Sequence, residues 1–274
     1  MAQAMLSADR SQMIDAALAR SVLYGVMTRA FQPPTVAAMK GLRSNEGQRT
    51  LRDAAQLLDA ERAQAPLLSP AVEALVQAAA AQTRLGDLLK DYSALFGHTA
   101  RGLICPYETE YGSTAAFAQP QTMADIAGSY RAFGLRRRSE SDERVDHIGC
   151  ECEFVMFLAL KEAYALEASG EESGTEPEAY QQTLEETRKA GRLFLRDHLG
   201  RFGRAFANTL VTEAPHRFYG SVARLLDRLL DFDCERLGVP VGPATLELRS
   251  DAEDETPMGC GDGEQLIQIQ RGNP

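Results

Sequence analysis

The chain has 274 residues, 44% hydrophobic, 25% charged and 7% aromatic with no Trp, a length that buries a full core without staples. Its formal net charge of -10 at pH 7 argues against a nucleic-acid backbone as partner and favours a cationic one. Five Cys, an odd number spread from Cys105 to Cys260, do not read as a disulfide framework and suit a reducing compartment.

The opening stretch MAQAMLSADRSQM has no cationic region followed by an apolar core, so no secretory signal is read there. No run approaches the roughly eighteen apolar residues of a membrane-spanning helix. The arginine cluster from Arg136 to Arg138 is internal, and the expected location is the cytoplasm.

Periodicity is helical almost throughout. Met13, Ala17, Val22 or Leu23, Val26 and Ala30 recur at helical spacing and predict a first helix over 8–31, ended by Pro33 and Pro34. Residues 44–64 predict a second, with Ser44 as N-cap. In 68–96, Ser69 caps while Pro70 takes the first helical position. The loop over 97–121 is long for a helical domain. Leu103, Ile104, Tyr107, Tyr111 and Phe117 make it too apolar for a disordered linker. TMADIAGSYRAFGL is a further helix, with Thr122 as cap and Asp125 three residues on.

The polar break over 136–146 leads into a helix running to about Leu166. After the acidic turn EASGEESGTEPE, Pro177 starts a helix that continues to 210. The last helix lies in 214–238, with Pro215 near its start and Gly238 near its end. Beyond Pro240 the chain turns rich in Pro, Gly and acids and reads as a mostly flexible tail, with QLIQI as a candidate short strand. The expectation is an all-α, compact multi-helix bundle over 1–240, in two lobes hinged near 136–146, followed by a tail over 241–274.

The stretch ERVDHIGCECEF, residues 143–154, concentrates the chemistry. His147 and Glu151 share a helix face with Cys150 close by, which raises a metal site. Cys150 and Cys152, however, diverge by about 200° on a helix and cannot hold one ion together. No second cluster has zinc-ligand spacing, and no paired Glu-x-x-His motifs suggest a di-iron bundle. No metal site or cofactor is expected, and the two Cys read as small apolar fillers.

No nucleophile elbow or phosphate loop appears, so no catalytic residue is assigned. His98, His198 and His216 read as surface or capping residues. The competing reading is a thiol-based redox sensor or enzyme using Cys105, Cys150 or Cys152. Along the helix, Glu151, Phe154 and Leu158 follow one face, Ile148, Cys152, Val155 and Ala159 the next, and Phe157, Leu160 and Tyr164 a third. A helix apolar all round predicts burial on every side. Asp146 suits the positive helix terminus. Glu151 and Glu153, entering that segment, need partners, either the chain's own arginines or an incoming cation.

Three stretches together resemble a known family. DYSALFGHTARGLICPYETEYG is similar to a Tyr and Leu-Phe pair followed by Pro-Tyr-Glu-Ser-x-Tyr. ERVDHIGCECEFVMFLAL resembles Asp-His-hydrophobic followed by Glu-Leu-Glu-Phe-Met, and FLRDHLGRFGRAF resembles Phe-Leu-x-x-His-Leu-x-x-Trp. In order and spacing, over about 85–210, they look like the TorD/DmsD/NarJ family of cytoplasmic molybdoenzyme maturation chaperones. Val145 stands where many members have Pro. Cys152 and Val155 replace Leu and Met, Thr109 replaces Ser, and Phe202 replaces Trp.

The resemblance implies an all-helical fold and a non-catalytic role. The expected partner is the molybdopterin-containing catalytic subunit of a DMSO-reductase-type enzyme, bound through its twin-arginine signal peptide and as apoprotein until the cofactor is inserted. On that implication Glu108, Asp146 and Glu151 supply carboxylates for guanidinium groups, while Tyr107, Tyr111 and Phe154 line an apolar groove. His147, if its pKa is near neutrality, makes binding pH-sensitive. The bland alternative is that these residues cap helices and fix the loop against the motif helix.

Overall fold

The computed structural model describes residues 2–62, 65, 67–82, 84–97, 103–112, 118–136, 143–169 and 177–249. Among them the chain forms ten α-helices and no strand. They are α1 (Ala2–Ala30), α2 (Val36–Arg43), α3 (Asn45–Ala60), α4 (Leu68–Ala81), α5 (Leu85–Phe96), α6 (Ala118–Ala132), α7 (Ile148–Ala168), α8 (Pro177–Asp197), α9 (Leu199–Glu213) and α10 (Phe218–Leu237). A 3-10 turn, Glu108–Glu110, interrupts the loop before α6. The fold is all-α, as the periodicity predicts.

The central pair is α1 against α7. Thr28 lies beside Gly149, Gly25 beside Met156 and Arg20 beside Glu162, so the two helices run antiparallel. Around them one continuous core takes side chains from every part of the described chain, from Ala19 to Val239. Arg20 is buried in it, bonded by Glu162 and Asp233, while Arg188 and Arg236 hold the same carboxylates from α8 and α10. The hinge expected near 136–146 falls mostly outside the described residues.

Several boundaries differ from the sequence reading. Ser44 caps α3 as expected, its hydroxyl accepting from the Gly47 amide at 3.0 Å. Ser69, by contrast, lies inside α4. The start of α4 is capped from α3, where Asp59 accepts from the amides of Leu67, Leu68 and Ser69 and from the Ser69 hydroxyl. Thr122 likewise lies inside α6, not at its start. The segment 68–96 is two helices, and Pro177 starts one that stops at Asp197. His198 (φ -126, ψ -102) breaks the run before α9. The short α2 escaped the periodicity altogether.

The first part of the expected flexible tail is packed. The Gly242 amide donates to the Gly200 carbonyl at 3.0 Å and Asn208 holds the Ala244 carbonyl at 2.9 Å. A Cβ on Gly242 would run into the carbonyl oxygens of Gly200 and Arg201, so only glycine lets this strap cross α9 so closely. Leu248 then pairs with Tyr111 as an isolated antiparallel bridge. QLIQI lies outside the described residues.

Candidate functional site

The three motif stretches meet at the start of α7. The loop is sewn to its neighbours by backbone bonds: Ile104 N to Leu95 O, Ile148 N to Pro106 O and Glu108 N to Asp146 O, at 2.8, 2.8 and 2.9 Å. The Tyr111 hydroxyl donates to the Cys105 carbonyl and its ring packs on Phe202. At the head of α7, His147 is the N-cap, its Nδ1 accepting from the Gly149 amide at 3.0 Å. That bond puts the ring proton on Nε2, which faces Glu143 at 3.9 Å. Burial depresses the His147 pKa against the pull of Glu143 and Asp146, so the ring is neutral at pH 7.

Charge in this knot is matched internally. Asp146 is fully buried and accepts from the Thr109 amide and hydroxyl, and from Arg144 through Nε at 3.0 Å and Nη2 at 2.8 Å. The Arg144 guanidinium also reaches Glu110 and sits 4.3 Å above the centre of the Tyr107 ring. Tyr107 donates its hydroxyl to Glu143 at 2.9 Å. Glu108, also fully buried, is held by Arg201 Nη2 at 2.7 Å and meets His198 Nδ1 at 3.1 Å. Phe154, one turn deeper, packs against Phe194, Tyr130 and Phe133.

Glu151 is different. It is completely buried, and neither of its oxygens has a donor among the described residues. Burial first, then the charges of Glu108 and Asp146, push its pKa well above the usual carboxylate range. As a neutral acid it gains a partner by donating to Glu108.

The structure thus brings Tyr107, Glu108, Tyr111, Asp146, His147 and Glu151 together, with Phe154 beneath them. It turns the carboxylates inward, where Arg144 and Arg201 already bond Asp146 and Glu108, instead of toward an incoming guanidinium. The chain's own arginines partner Asp146 and Glu108, whereas Glu151 and Glu153, the acids expected to need partners, meet none of them among the described residues. Sequence reasoning missed Arg144, Arg201 and Glu110 as members of the knot and took His198 for a surface or capping residue. Their signal was proximity to the motifs: Arg144 stands two before Asp146, and Arg201 three after His198.

The outward side of the same helix forms a groove. A cavity of about 1040 Å³ lies between α1, α2, α3 and the first turns of α7, with Val22, Val26 and Leu51 among its apolar lining. Glu46 from α3 and Glu153 from α7 line it too, both exposed and neither in an ion pair among the described residues. Arg29 and Arg136 supply opposite charge at the same groove. From Glu153 the exposed side of α7 continues through Phe157, Leu160 and Tyr164. Leu160 is 43% and Tyr164 60% exposed, with Leu18 of α1 at 41%. The helix that should have been buried all round leaves one apolar face uncovered among the described residues. From Cys150 to Tyr164 this face is about 21 Å long at 1.5 Å per residue.

Two of the thiols are poor nucleophiles. Burial pushes Cys105 up to about 11 and raises Cys152 well above the ordinary thiol range, so both stay protonated at neutral pH. Cys150 is half-buried against the groove.

A family model described as Nitrate reductase delta subunit matches residues 52–208, more than half of the chain and all three motif stretches of the knot. The chain belongs to this family. Its members are NarJ/TorD-type molybdoenzyme maturation chaperones, which implies an assembly role and not catalysis. A "Perchlorate reductase assembly chaperone protein" of Dechloromonas aromatica (strain RCB) is 24% identical over 234 residues, covering 82% of this chain and 92% of that protein. In the delta subunit family frame, the knot is where the sequence motifs are spent. The groove is where the chain still has chemistry to offer. No helix among the described residues is long and apolar enough to cross a membrane.

Proposed function

We propose that this member of the nitrate reductase delta subunit family is a cytoplasmic assembly chaperone for a DMSO-reductase-type molybdoenzyme. It binds the twin-arginine leader of the catalytic subunit and delays export until the cofactor is in place. The observation that carries this reading is the uncovered apolar face of α7 beside the unpaired Glu46 and Glu153. A leader peptide pairs two guanidiniums with an apolar, helix-prone stretch. A groove with carboxylates at one end and an apolar strip of several helical turns complements both parts.

In this reading Tyr107, Glu108, Tyr111, Asp146, His147, Glu151 and Phe154 aim the site and do not touch the peptide. Residues two apart on a helix point about 200° apart, so anchoring Glu151 inward presents Glu153 outward. Calorimetry with a twin-arginine leader peptide tests the proposal. Glu46→Gln with Glu153→Gln should weaken binding at least about tenfold, and a leader with both arginines replaced by glutamine should lose the same amount. Unchanged affinity in Glu46→Gln/Glu153→Gln, with loss in a folded variant of the knot, would return the direct contact to the buried cluster.

A further inference from the structure

The helix α2 is a wall with a second cleft behind it. Ala37, Ala38, Gly41 and Leu42 line the large groove, whereas Val36, Met39, Lys40 and Arg43 face a separate cavity of about 570 Å³. Gln82, Arg84, Leu85 and Leu88 close its far side, and Ser44 touches both cavities. The chemistry of this second cleft is the reverse of the first. Lys40, Arg43 and Arg84 are exposed, and among the described residues none of them makes an ion pair and no carboxylate lines the cavity. The acid nearest Arg84 in sequence, Asp87, faces Lys90 at 3.7 Å instead. The cleft also leaves apolar surface open, with Val36 70% exposed and Leu89 on the same helix as Leu85 at 39%.

Three cations without an ion pair among the described residues surround one apolar cleft in a chain of net charge -10. Many other arginines of this chain bond its own acids, as in the Arg52–Glu73, Arg204–Asp227 and Arg217–Asp91 pairs. We infer that this cleft is a second docking surface, and that its occupant is an acidic peptide segment of a protein partner carrying a leucine-like anchor. The carboxylates meet Lys40, Arg43 and Arg84 while the anchor covers Val36 and Leu85. A bilayer fits less well, because the cleft is concave and the chain's overall charge repels an anionic surface. The inference does not depend on what fills the larger groove, since the two clefts face opposite sides of α2.

The test uses the full chain and a short fluorescent peptide in which Asp and Glu flank a pair of leucines. Anisotropy should report saturable binding that weakens steeply with added salt. Lys40→Glu with Arg84→Glu should lower affinity at least about tenfold, and the milder Lys40→Gln with Arg84→Gln should act in the same direction. Val36→Ser should cost about fivefold, and Glu46→Gln with Glu153→Gln should change nothing. Because these side chains are exposed, circular dichroism melts of the variants should match the parent.

Peptide binding indifferent to the charge reversals would overturn the proposal. So would sedimentation with phosphatidylglycerol vesicles in place of peptide binding. Residues 251–255, DAEDE, carry the same acidic chemistry within the chain. If the peptide binds only after Asp251→Asn, Glu253→Gln, Asp254→Asn and Glu255→Gln are introduced together, the occupant is internal and an external partner is ruled out.

Discussion

Glu151 and Glu153 stand two residues apart on one helix, yet they belong to different worlds. Glu151 is sealed in the knot, surrounded by Glu108 and Asp146 and held as a neutral acid. Glu153 faces the groove with no ion pair among the described residues. The inward side of α7 faces a knot in which Asp146, just before the helix, and Glu108, from the loop, bond Arg144 and Arg201 and fix where the helix begins. The outward side leaves Leu160 and Tyr164 exposed among the described residues, with Tyr164 touching the Tyr180 ring edge-on. A sequence motif can therefore mark the scaffold of a site while the contact surface is carried by residues between and beyond the motif positions.

The largest effect that would break this division comes from Asp146. Replacing it by Ala strips Arg144 of a bidentate partner and leaves the Thr109 amide without its acceptor. Breaking a buried ion pair from one side costs about 3 kcal/mol. Urea unfolding of Asp146→Ala should show a loss of that order, whereas Glu153→Ala should leave the midpoint where it was. Equal stability of the two variants would erase the distinction between scaffold and surface. The reverse experiment comes next in size. Leu160→Asp with Tyr164→Asp should keep the fold, because both side chains are exposed, and should weaken leader-peptide binding at least about tenfold.

Much of the fold was legible because helical periodicity and local caps report on each other. The cap at Ser44 and the end at Gly238, where φ is 62, were read from sequence and hold in the structure. The misses share one cause, which is that their determinants are tertiary. The break at His198 sits where Glu108, ninety residues earlier in the chain, meets its ring. The start of α4 is capped by Asp59 from another helix, so local rules pointed to Ser69 instead. The knot was legible as a set of residues, through its motifs, but not as an interior. Nothing in one strand of sequence says that Arg144 and Arg201 arrive first. Nor does an apolar helix face announce whether another helix will cover it, which is why the Phe157, Leu160 and Tyr164 face of α7 was read as buried.

Asp59 sharpens that lesson with a smaller effect. Burial acts to raise its pKa, but hydrogen bonds from Leu68, Ser69 and Leu67 outweigh it and the carboxylate titrates below its ordinary value. A lowered carboxylate pKa contributes stability above the unfolded value near 4, lost as pH falls through the folded one. Asp59→Ala should cost about 1.5 kcal/mol at pH 7, the scale of a lost helix cap. In acid, below about pH 4, its melting temperature should converge on that of the parent. A gap that stays constant with pH would mean that the carboxylate charge is not what caps α4.

A pH-dependent effect tests the sealed side of the comparison most directly. Glu151 keeps its proton in the folded chain, while in the unfolded chain it releases it near pH 4.3, the ordinary value. Between that pH and the raised folded pKa, the folded state binds more protons, so this group lowers stability progressively as pH rises. Glu151→Gln preserves the shape and a donor toward Glu108 but cannot titrate. Its stability relative to the parent should therefore be flat in acid and improve as pH rises above about 4.3, the unfolded value. Thermal melts across that range decide the matter. A relative stability independent of pH would show that Glu151 is not held neutral, and the inward and outward acids of α7 would then differ in direction alone.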